Sequence, residues 1–174
     1  MSRKYLNDKY CVRCGRSSVT PYLRDNYKHL IHSDNPVAPQ DFTVVDLGCG
    51  NGRNSDFMRE QGHKVYSFDM IADYKHGIET ELGKESLPMG IPTDIILCNY
   101  VLMFLNKKER KQVIKDIKRI AAPGCTVMVQ LYEAKDSFAP TKEEKIKMQQ
   151  EIFDALGWEK IRYSQQGFVA RKEP

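Results

Sequence analysis

The residues of this chain best suited to chemistry are three glycines and two aspartates. Gly48, Gly50 and Gly52 form a G-x-G-x-G pattern directly after a short apolar run. Asp46 lies two residues before the first glycine, and Asp69 lies 21 residues after it, at the end of a second apolar run. Glycines between a strand and a helix let the backbone approach a nucleotide, and an acid at the next strand tip can accept both ribose hydroxyls. The pattern therefore predicts an adenosine-type cofactor site.

The spacing also indicates which cofactor the site would take. A dinucleotide fingerprint needs its third glycine at position 53, where this chain has Arg53. Asp46 would repel a pyrophosphate held at the helix N-terminus, but it would favour a cation. S-adenosylmethionine carries a sulfonium and an amino group and has no phosphate. We therefore expect S-adenosylmethionine rather than NAD. The alternative is a strand–helix–strand unit whose glycines only form a tight turn.

Hydrophobic periodicity and turn residues predict the elements that position this loop. Apolar runs of four to seven residues indicate strands, and apolar residues at three- and four-residue spacing indicate helices. Thr20 and Pro21 have the residue types of a helix N-cap and first turn, and Thr141 with Glu144 forms a capping box. The predicted helices begin at Pro21, span residues 54–61 and 107–121, and follow Thr141; the predicted strands are residues 43–47, 65–69, 78–82, 95–98, 126–132, 160–164 and 168–171.

This order of elements predicts an α/β fold of the Rossmann-like class. We expect an open, mostly parallel sheet with helices on both faces and a C-terminal antiparallel hairpin. Residues 1–40 are expected to form an N-terminal lid and helix packed on the core, and residues 41–174 are expected to form the cofactor-binding core. A chain of 174 residues is long enough for one such domain.

Bulk composition limits the partners and the compartment. The net charge of +4 is mild, and the lysine-rich stretch of residues 107–118 alternates with an apolar stripe, so its lysines are expected to face solvent. Nucleic acid is thus a possible partner but not the favoured one. No stretch is long and apolar enough to span a membrane, and the odd number of cysteines, five, is typical of a reducing cytoplasm. The oligomeric state is not predicted.

Four segments resemble the class I S-adenosylmethionine-dependent methyltransferases, and more narrowly the tellurite-resistance methyltransferases of the TehB type. They are residues 8–10 (Asp-Lys-Tyr), residues 46–55 around the glycine loop, residues 101–105 (Val-Leu-Met-Phe-Leu) and residues 157–160 (Gly-Trp-Glu-Lys). The glycine segment is shared widely across the class, and residues 101–105 are a narrower match. The C-terminal hairpin expected above also separates this class from dinucleotide-binding proteins.

The resemblance implies a methyltransferase fold, S-adenosylmethionine as cofactor, and contacts from three places in the chain. The glycine loop and the second strand end would hold the methionine and ribose parts, adenine would pack beside Met70, and the fourth strand end would form a wall. The expected cofactor-binding residues are Asp46, Gly48, Cys49, Gly50, Asn51, Asp69, Met70, Asn99 and Tyr100.

The chain also departs from the family pattern in two places. The acid that often follows the third strand to hold the adenine amino group is not evident, because Gly83 and Lys84 stand near that place and Glu85 is a weak substitute. Residues 164–167 replace a longer polar insertion that carries basic site residues in TehB-type enzymes. This second departure argues against tellurite or selenite as the substrate, while methyl transfer itself is still expected.

The N-terminal segment allows two interpretations. Cys11 and Cys14 have the spacing of a zinc knuckle, but a structural zinc needs two further ligands. His29 and His32 would complete the set with an unusual spacing. We expect no metal site and interpret the segment as a lid over the cofactor. Residues of this lid would then border the acceptor pocket, where arginines would suit an anion; they are Tyr10, Arg13, Arg16 and Tyr22.

The expected function is S-adenosylmethionine-dependent methyl transfer to a small-molecule acceptor, with a metalloid or thiol as possible acceptors. The alternatives are a methyltransferase acting on RNA or protein, and a cofactor-binding module without turnover. Displacement at a sulfonium requires mainly alignment and exclusion of water. Tyr100, Tyr132 and His29 are possible bases, but each is more simply a wall or surface residue. No catalytic residue is therefore assigned.

Overall fold

A computed structural model of the chain describes residues 18–31, 41–71, 74–88, 90, 92–131 and 141–174. We number its helices and strands in chain order. The helices are α1 (Pro21–Leu30), α2 (Arg53–Glu60), α3 (Lys107–Ile120) and α4 (Lys142–Leu156), with a short 3₁₀ turn at Leu102–Phe104; the strands are β1 (Thr43–Leu47), β2 (Lys64–Asp69), β3 (Gly77–Glu79), β4 (Thr93–Asn99), β5 (Ala121–Gln130), β6 (Glu159–Tyr163) and β7 (Gly167–Arg171).

The seven strands form one sheet in the order β3-β2-β1-β4-β5-β7-β6. The first five strands in this order are parallel, and β7 and β6 continue the sheet as an antiparallel hairpin. The chain order reverses between β1 and β4, so the loops after these two strands diverge and leave a crevice at the carboxyl edge. The glycine loop follows β1 and therefore lies at this crevice. The predicted fold class is confirmed.

Apolar side chains cover both faces of the sheet. On one face, Leu23 and Leu30 of α1 and Met58 of α2 pack with strand residues such as Ile95 and Met128. On the other face, the apolar stripes of α3 and α4 pack in a second cluster. The lysines of α3 at positions 107, 108, 111, 115 and 118 are exposed while its apolar stripe is buried, as predicted. In the described part of the chain, no helix combines the length and apolarity needed to cross a membrane.

Several predicted element boundaries shift in the structure. The third strand is shorter than predicted and lies at the sheet edge, where it pairs with β2. The sequence predicts a helix to residue 121 and a strand from residue 126. Instead, α3 ends at Ile120 and β5 begins at Ala121 and runs through Pro123 and Gly124, because Ala121 already pairs with Thr93 of β4. Pairing with neighbouring strands overrides the local preference of a Pro-Gly pair for a turn. The capping box of Thr141 with Glu144 is confirmed at α4.

Helix α1 is fastened to the body of the protein at both ends. Thr20 caps the helix and its backbone N donates to Oδ1 of Asn54 at the start of α2, 3.0 Å away. At the other end, Oγ1 of Thr126 in β5 donates to the carbonyl of Leu30 at 2.9 Å. The helix of the predicted lid segment is thus packed on the core. The division at residue 40 stays a prediction, because residues 1–17 and 32–40 lie outside the described ranges.

Replacing Leu23 tests whether α1 is part of the core. Leu23 is fully buried, so Leu23→Ala is expected to lower the free energy of unfolding by about 2–5 kcal/mol, through lost apolar contact and a residual cavity. Arg24→Ala, at the exposed neighbouring position, is the matched control and should change stability by less than about 0.5 kcal/mol. Urea unfolding measures both. Equal, small effects for the two variants would mean that α1 is a detachable lid.

Candidate functional site

The glycine loop is anchored to the end of β2 by backbone hydrogen bonds. The backbone N atoms of Gly48 and Cys49 both donate to the carbonyl of Phe68, at 2.7 and 3.0 Å. Gly48, Gly50 and Gly52 have φ angles of 75°, 55° and 82°, in the left-handed region that glycine adopts at little cost. The loop is therefore fixed in a shape that other residues would strain.

The three glycines meet different surroundings. A Cβ at Gly48 would lie 2.5 Å from Cγ2 of Val101, and a Cβ at Gly52 would lie 2.2 Å from the ring of Tyr74. These two positions are thus required by packing of the protein's own side chains. A Cβ at Gly50 would meet no atom within 4 Å. Gly50 is the loop glycine that faces open space, and Cys49 and Asn51 flank it.

Asp69 lies beside Gly50, as the sequence pattern predicted. One carboxylate oxygen accepts from the backbone N of Gly50 at 2.9 Å, and the other accepts from the backbone N of Ile71 at 3.1 Å. A carboxylate oxygen can accept more than one hydrogen bond, so these backbone contacts are compatible with a ligand at the same group. Met70, half-buried, follows directly. The structure therefore brings together the glycine loop, the acid and Met70 at one edge of the sheet.

Asp46 is buried beneath this loop and ends a chain of hydrogen bonds. Its Oδ2 accepts from the hydroxyl of Ser55 at 2.6 Å, and Ser55 in turn accepts from Ser67 at 2.8 Å. Arg59 donates to Ser67 at 3.2 Å, which connects a guanidinium to the chain. Burial raises the pKa of Asp46 to about 6, the Ser55 hydrogen bond opposes this shift, and the nearby Asp69 adds to it. The pKa of Asp46 thus lies close to neutral pH, and a nearby cation would lower it.

The raised pKa of Asp46 predicts how stability depends on pH. Because the folded-state pKa lies above the unfolded value, the stabilising effect of protonation is complete below pH 4 and is lost as pH rises through 6. Wild type should therefore lose about 2 kcal/mol relative to Asp46→Asn between pH 4 and pH 8. Urea unfolding of both proteins from pH 4 to 8 measures the difference, in which other titrating groups cancel. A difference that does not change with pH would show that Asp46 titrates normally.

Asn99 and Tyr100 lie at the end of β4, beside the glycine loop. Asp46 pairs with Leu97 across β1 and β4, so continuation of this register places Asn99 next to Gly48. Asn99 is 6% exposed, and neither of its side-chain amide atoms has a hydrogen-bond partner among the described residues. Tyr100 has a φ of 61°, which is unusual for a tyrosine and is typical of residues at functional sites.

Gln130 is a candidate site residue that the sequence reasoning missed. It ends β5, pairs with Asn99, and its backbone carbonyl accepts from the backbone N of Tyr100 at 2.8 Å. Its side chain is 5% exposed, and its Oε1 has no hydrogen-bond partner in the described part of the chain. A glutamine at the carboxyl end of an otherwise apolar strand was the signal that could have identified it.

The loop after β3 does not supply a free acid for an adenine ring. Glu85 accepts a hydrogen bond from the backbone N of Glu81 at 3.2 Å, and Lys84 forms a surface ion pair with Glu81 at 2.8 Å. Gly83 packs on the backbone of Glu109 in α3. This turn is therefore directed toward α3, and Glu85 is part of the turn itself.

Cysteine and metal chemistry are not supported within the described ranges. Burial, followed by the charges of Asp46 and Asp69, raises the pKa of the Cys49 thiol, so it stays protonated and a poor nucleophile. No group of three or more histidine, cysteine or acidic residues there could hold a metal ion. Cys11, Cys14 and His32 lie outside the described residues.

The structure describes only some of the other residues that were predicted to border the pocket or to act as a base. Tyr22 belongs to the buried stripe of α1, and its pKa is raised chiefly by that burial. His29 lies near the end of α1, where burial and the charges of Lys28 and Arg162 lower its pKa. The remaining candidates lie outside the described residues; they are Tyr10, Arg13, Arg16 and Tyr132.

Sequence comparisons agree with this geometry. A family model described as "Tellurite resistance protein TehB" matches residues 20–167, which is most of the chain. A curated protein of Haemophilus influenzae, described as a probable S-adenosyl-L-methionine-dependent methyltransferase TehB, is 31% identical over 87 residues. The match covers 43% of this chain and 30% of the relative, so it spans under a third of that relative's length.

Two solved structures share the fold over nearly the whole chain. One is the Burkholderia thailandensis 1,6-didemethyltoxoflavin-N1-methyltransferase with bound 1,6-didemethyltoxoflavin and S-adenosylhomocysteine; it has a TM-score of 0.71 and 15% identity, over 98% of this chain and 85% of that one. The other is TehB from Haemophilus influenzae, with a TM-score of 0.66 and 19% identity, over 98% of this chain and 66% of that one. The fold is that of the class I methyltransferases.

Proposed function

This chain belongs to the TehB family, and we propose that it binds S-adenosylmethionine and transfers the methyl group to a small-molecule acceptor. The observation that carries the proposal is the pairing of Gly50 with Asp69 at the carboxyl edge of the sheet. Gly50 faces open space that a side chain would fill, and the carboxylate of Asp69 is held beside it at 2.9 Å. The residues present therefore fit an adenosyl ligand.

In this proposal each part of the site has one task. Asp69 accepts hydrogen bonds from the ribose hydroxyls, because its carboxylate lies at the crevice beside the backbone N of Gly50. The loop backbone from Gly48 to Asn51 lies along the methionine part, with Cys49 and Gly50 between them. Met70 packs on the adenine, and Asn99 with Tyr100 closes the wall on the β4 side.

The electrostatics of the site favour a cation over a pyrophosphate. Burial raises the pKa of Asp46 and the charge of the nearby Asp69 adds to this shift, so the two carboxylates repel each other. A sulfonium and an amino group near these two acids lower that repulsion, whereas a diphosphate would add to it. When bound, S-adenosylmethionine supplies an electrophilic methyl group. The protein's own contribution is to orient the two ligands and exclude water, which accounts for much of the rate in such displacements.

Adding a methyl group at Gly50 tests this proposal. Gly50→Ala is expected to weaken S-adenosylmethionine binding at least tenfold, because the new Cβ enters the space assigned to the ligand. Gly62→Ala is a matched control, since Gly62 also has a positive φ, 91°, and open space around its Cβ position, but lies at the far end of α2. Each variant should lose about 1–2 kcal/mol of stability. Isothermal calorimetry measures affinity, and equal affinity in both variants would contradict the assigned binding position.

Turnover is tested separately with labelled S-adenosylmethionine. Purified protein is incubated with the label and a panel of small acceptors, and labelled product is separated by size. The proposal predicts label in the small-molecule fraction. Label only in protein or RNA would contradict a small acceptor, and tight cofactor binding with no transfer at all would identify a binding module without turnover.

A further inference from the structure

Three buried amide side chains lie on the α1 side of the sheet, and two of them stand at the ends of β4 and β5. We call Asn26, Asn99 and Gln130 the amide cluster. Asn99 and Gln130 pair across β4 and β5, so their side chains point to the same face. Leu97 and Met128 lie two residues earlier on these strands and pack toward α1, which identifies this face as the α1 side.

Asn26 approaches the same face from the helix. Tyr22, Leu23, Asn26 and Leu30 are the buried residues of α1, so Asn26 lies on the stripe that packs on the sheet. The helix runs between its two anchors, the Thr20 contact to Asn54 and the Leu30 contact to Thr126. Asn26 therefore lies above the strands between the glycine loop and the middle of β5.

The polar atoms of the amide cluster are buried but incompletely paired. The side-chain oxygens of Asn26, Asn99 and Gln130, and also Nδ2 of Asn99, have no hydrogen-bond partner among the described residues. The orientation of Asn26 is fixed, because its Nδ2 donates to the carbonyl of Tyr22 at 2.8 Å. Leaving such a group buried and unpaired is destabilising, so unpaired amides in a native protein indicate a partner that completes the pairing, such as a ligand.

We propose that the amide cluster binds the methyl acceptor, and that the acceptor is a nitrogen compound bearing N–H groups, an amine or a nitrogen heterocycle. This inference rests on the proposed methyltransferase function and adds the acceptor class. The unpaired atoms of the cluster are three carbonyl oxygens and one NH₂ group, so acceptors outnumber donors. An N–H compound supplies donors to these oxygens.

The negative charge of Asp46 also favours a nitrogen compound as the acceptor. Asp46 points to the α1 side of β1, because it pairs with Leu97, which packs on that side. A buried acid next to the cluster disfavours an anionic acceptor such as tellurite or selenite. It favours a nitrogen that becomes positively charged during the reaction.

The amide oxygens also assist the transfer in this scheme. The acceptor nitrogen forms its bond to the methyl carbon with its lone pair, the sulfur–methyl bond breaks with its electron pair staying on sulfur, and the nitrogen then releases a proton to water. An N–H bonded to an amide oxygen orients the lone pair away from that oxygen. The same oxygen stabilises the positive charge that develops on nitrogen, so no dedicated base is required.

The test compares acceptors in wild type and in two variants of the cluster. The acceptor panel contains imidazole, benzimidazole, 2-aminopyridine and adenine as N–H compounds, with tellurite, selenite and 2-mercaptoethanol as the others. We expect label transfer to at least one N–H compound at a rate ten times or more above that to every other acceptor. In Asn99→Leu and Gln130→Leu, kcat/KM for that compound should fall at least tenfold. In Gln130→Leu, the calorimetric affinity for S-adenosylhomocysteine should change by less than threefold.

A control variant and the possible negative results distinguish failure of the acceptor proposal from failure of the proposed methyltransferase function. Gln149→Leu also removes a buried amide with an unpaired oxygen, but on α4, and should leave kcat/KM within twofold of wild type. Transfer to tellurite, selenite or thiol alone would overturn the acceptor class. So would S-adenosylhomocysteine binding with no transfer to any N–H compound, or unchanged kinetics in both variants. Failure to bind S-adenosylhomocysteine at all would instead overturn the proposed function.

Discussion

The site depends on the hydrogen bond from the backbone N of Gly50 to the carboxylate of Asp69, 2.9 Å long. This bond joins the loop after β1 to the end of β2, next to the point where the strand order reverses. Two further hydrogen bonds, from backbone N atoms to the carbonyl of Phe68, hold the base of the same loop. Because the carboxylate orders the loop, the residue assigned to the ribose also shapes the surface assigned to the methionine. A ligand therefore meets a preformed site, and little of its binding energy is used to order the loop.

The buried acid beneath the loop shows how stability and function oppose each other here. Asp46 is 2% exposed, and burial raises its pKa to about 6 even though Ser55 donates a hydrogen bond to it. An apolar residue at this place would avoid that cost. The chain through Ser55 and Ser67 to Arg59 reduces the cost without removing it. A cationic ligand would offset the rest, which is why this destabilising acid is consistent with a sulfonium site. The unpaired amides of Asn99 and Gln130 fit the same logic for a second ligand.

Much of this molecule could be predicted from its sequence, and the failures have physical causes. The fold class and the position of Asp69 beside the loop followed from local patterns, since glycine spacing and strand periodicity are short-range signals. The start of β5 did not, because the pairing of Ala121 with Thr93 joins distant parts of the chain. The sequence also could not show why positions 48 and 52 require glycine, since the side chains of Val101 and Tyr74 pack against them only in the folded state. Gln130 was missed because its lack of a partner is visible only in three dimensions.

The central claim is that the loop and the two aspartates fit a cationic, phosphate-free adenosyl ligand. Isothermal calorimetry of the purified chain with S-adenosylmethionine and with NAD, at pH 7.5 and in the same buffer, tests this most directly. The account predicts saturable, one-to-one binding of S-adenosylmethionine and no measurable heat with NAD. Binding of NAD with no binding of S-adenosylmethionine would contradict it.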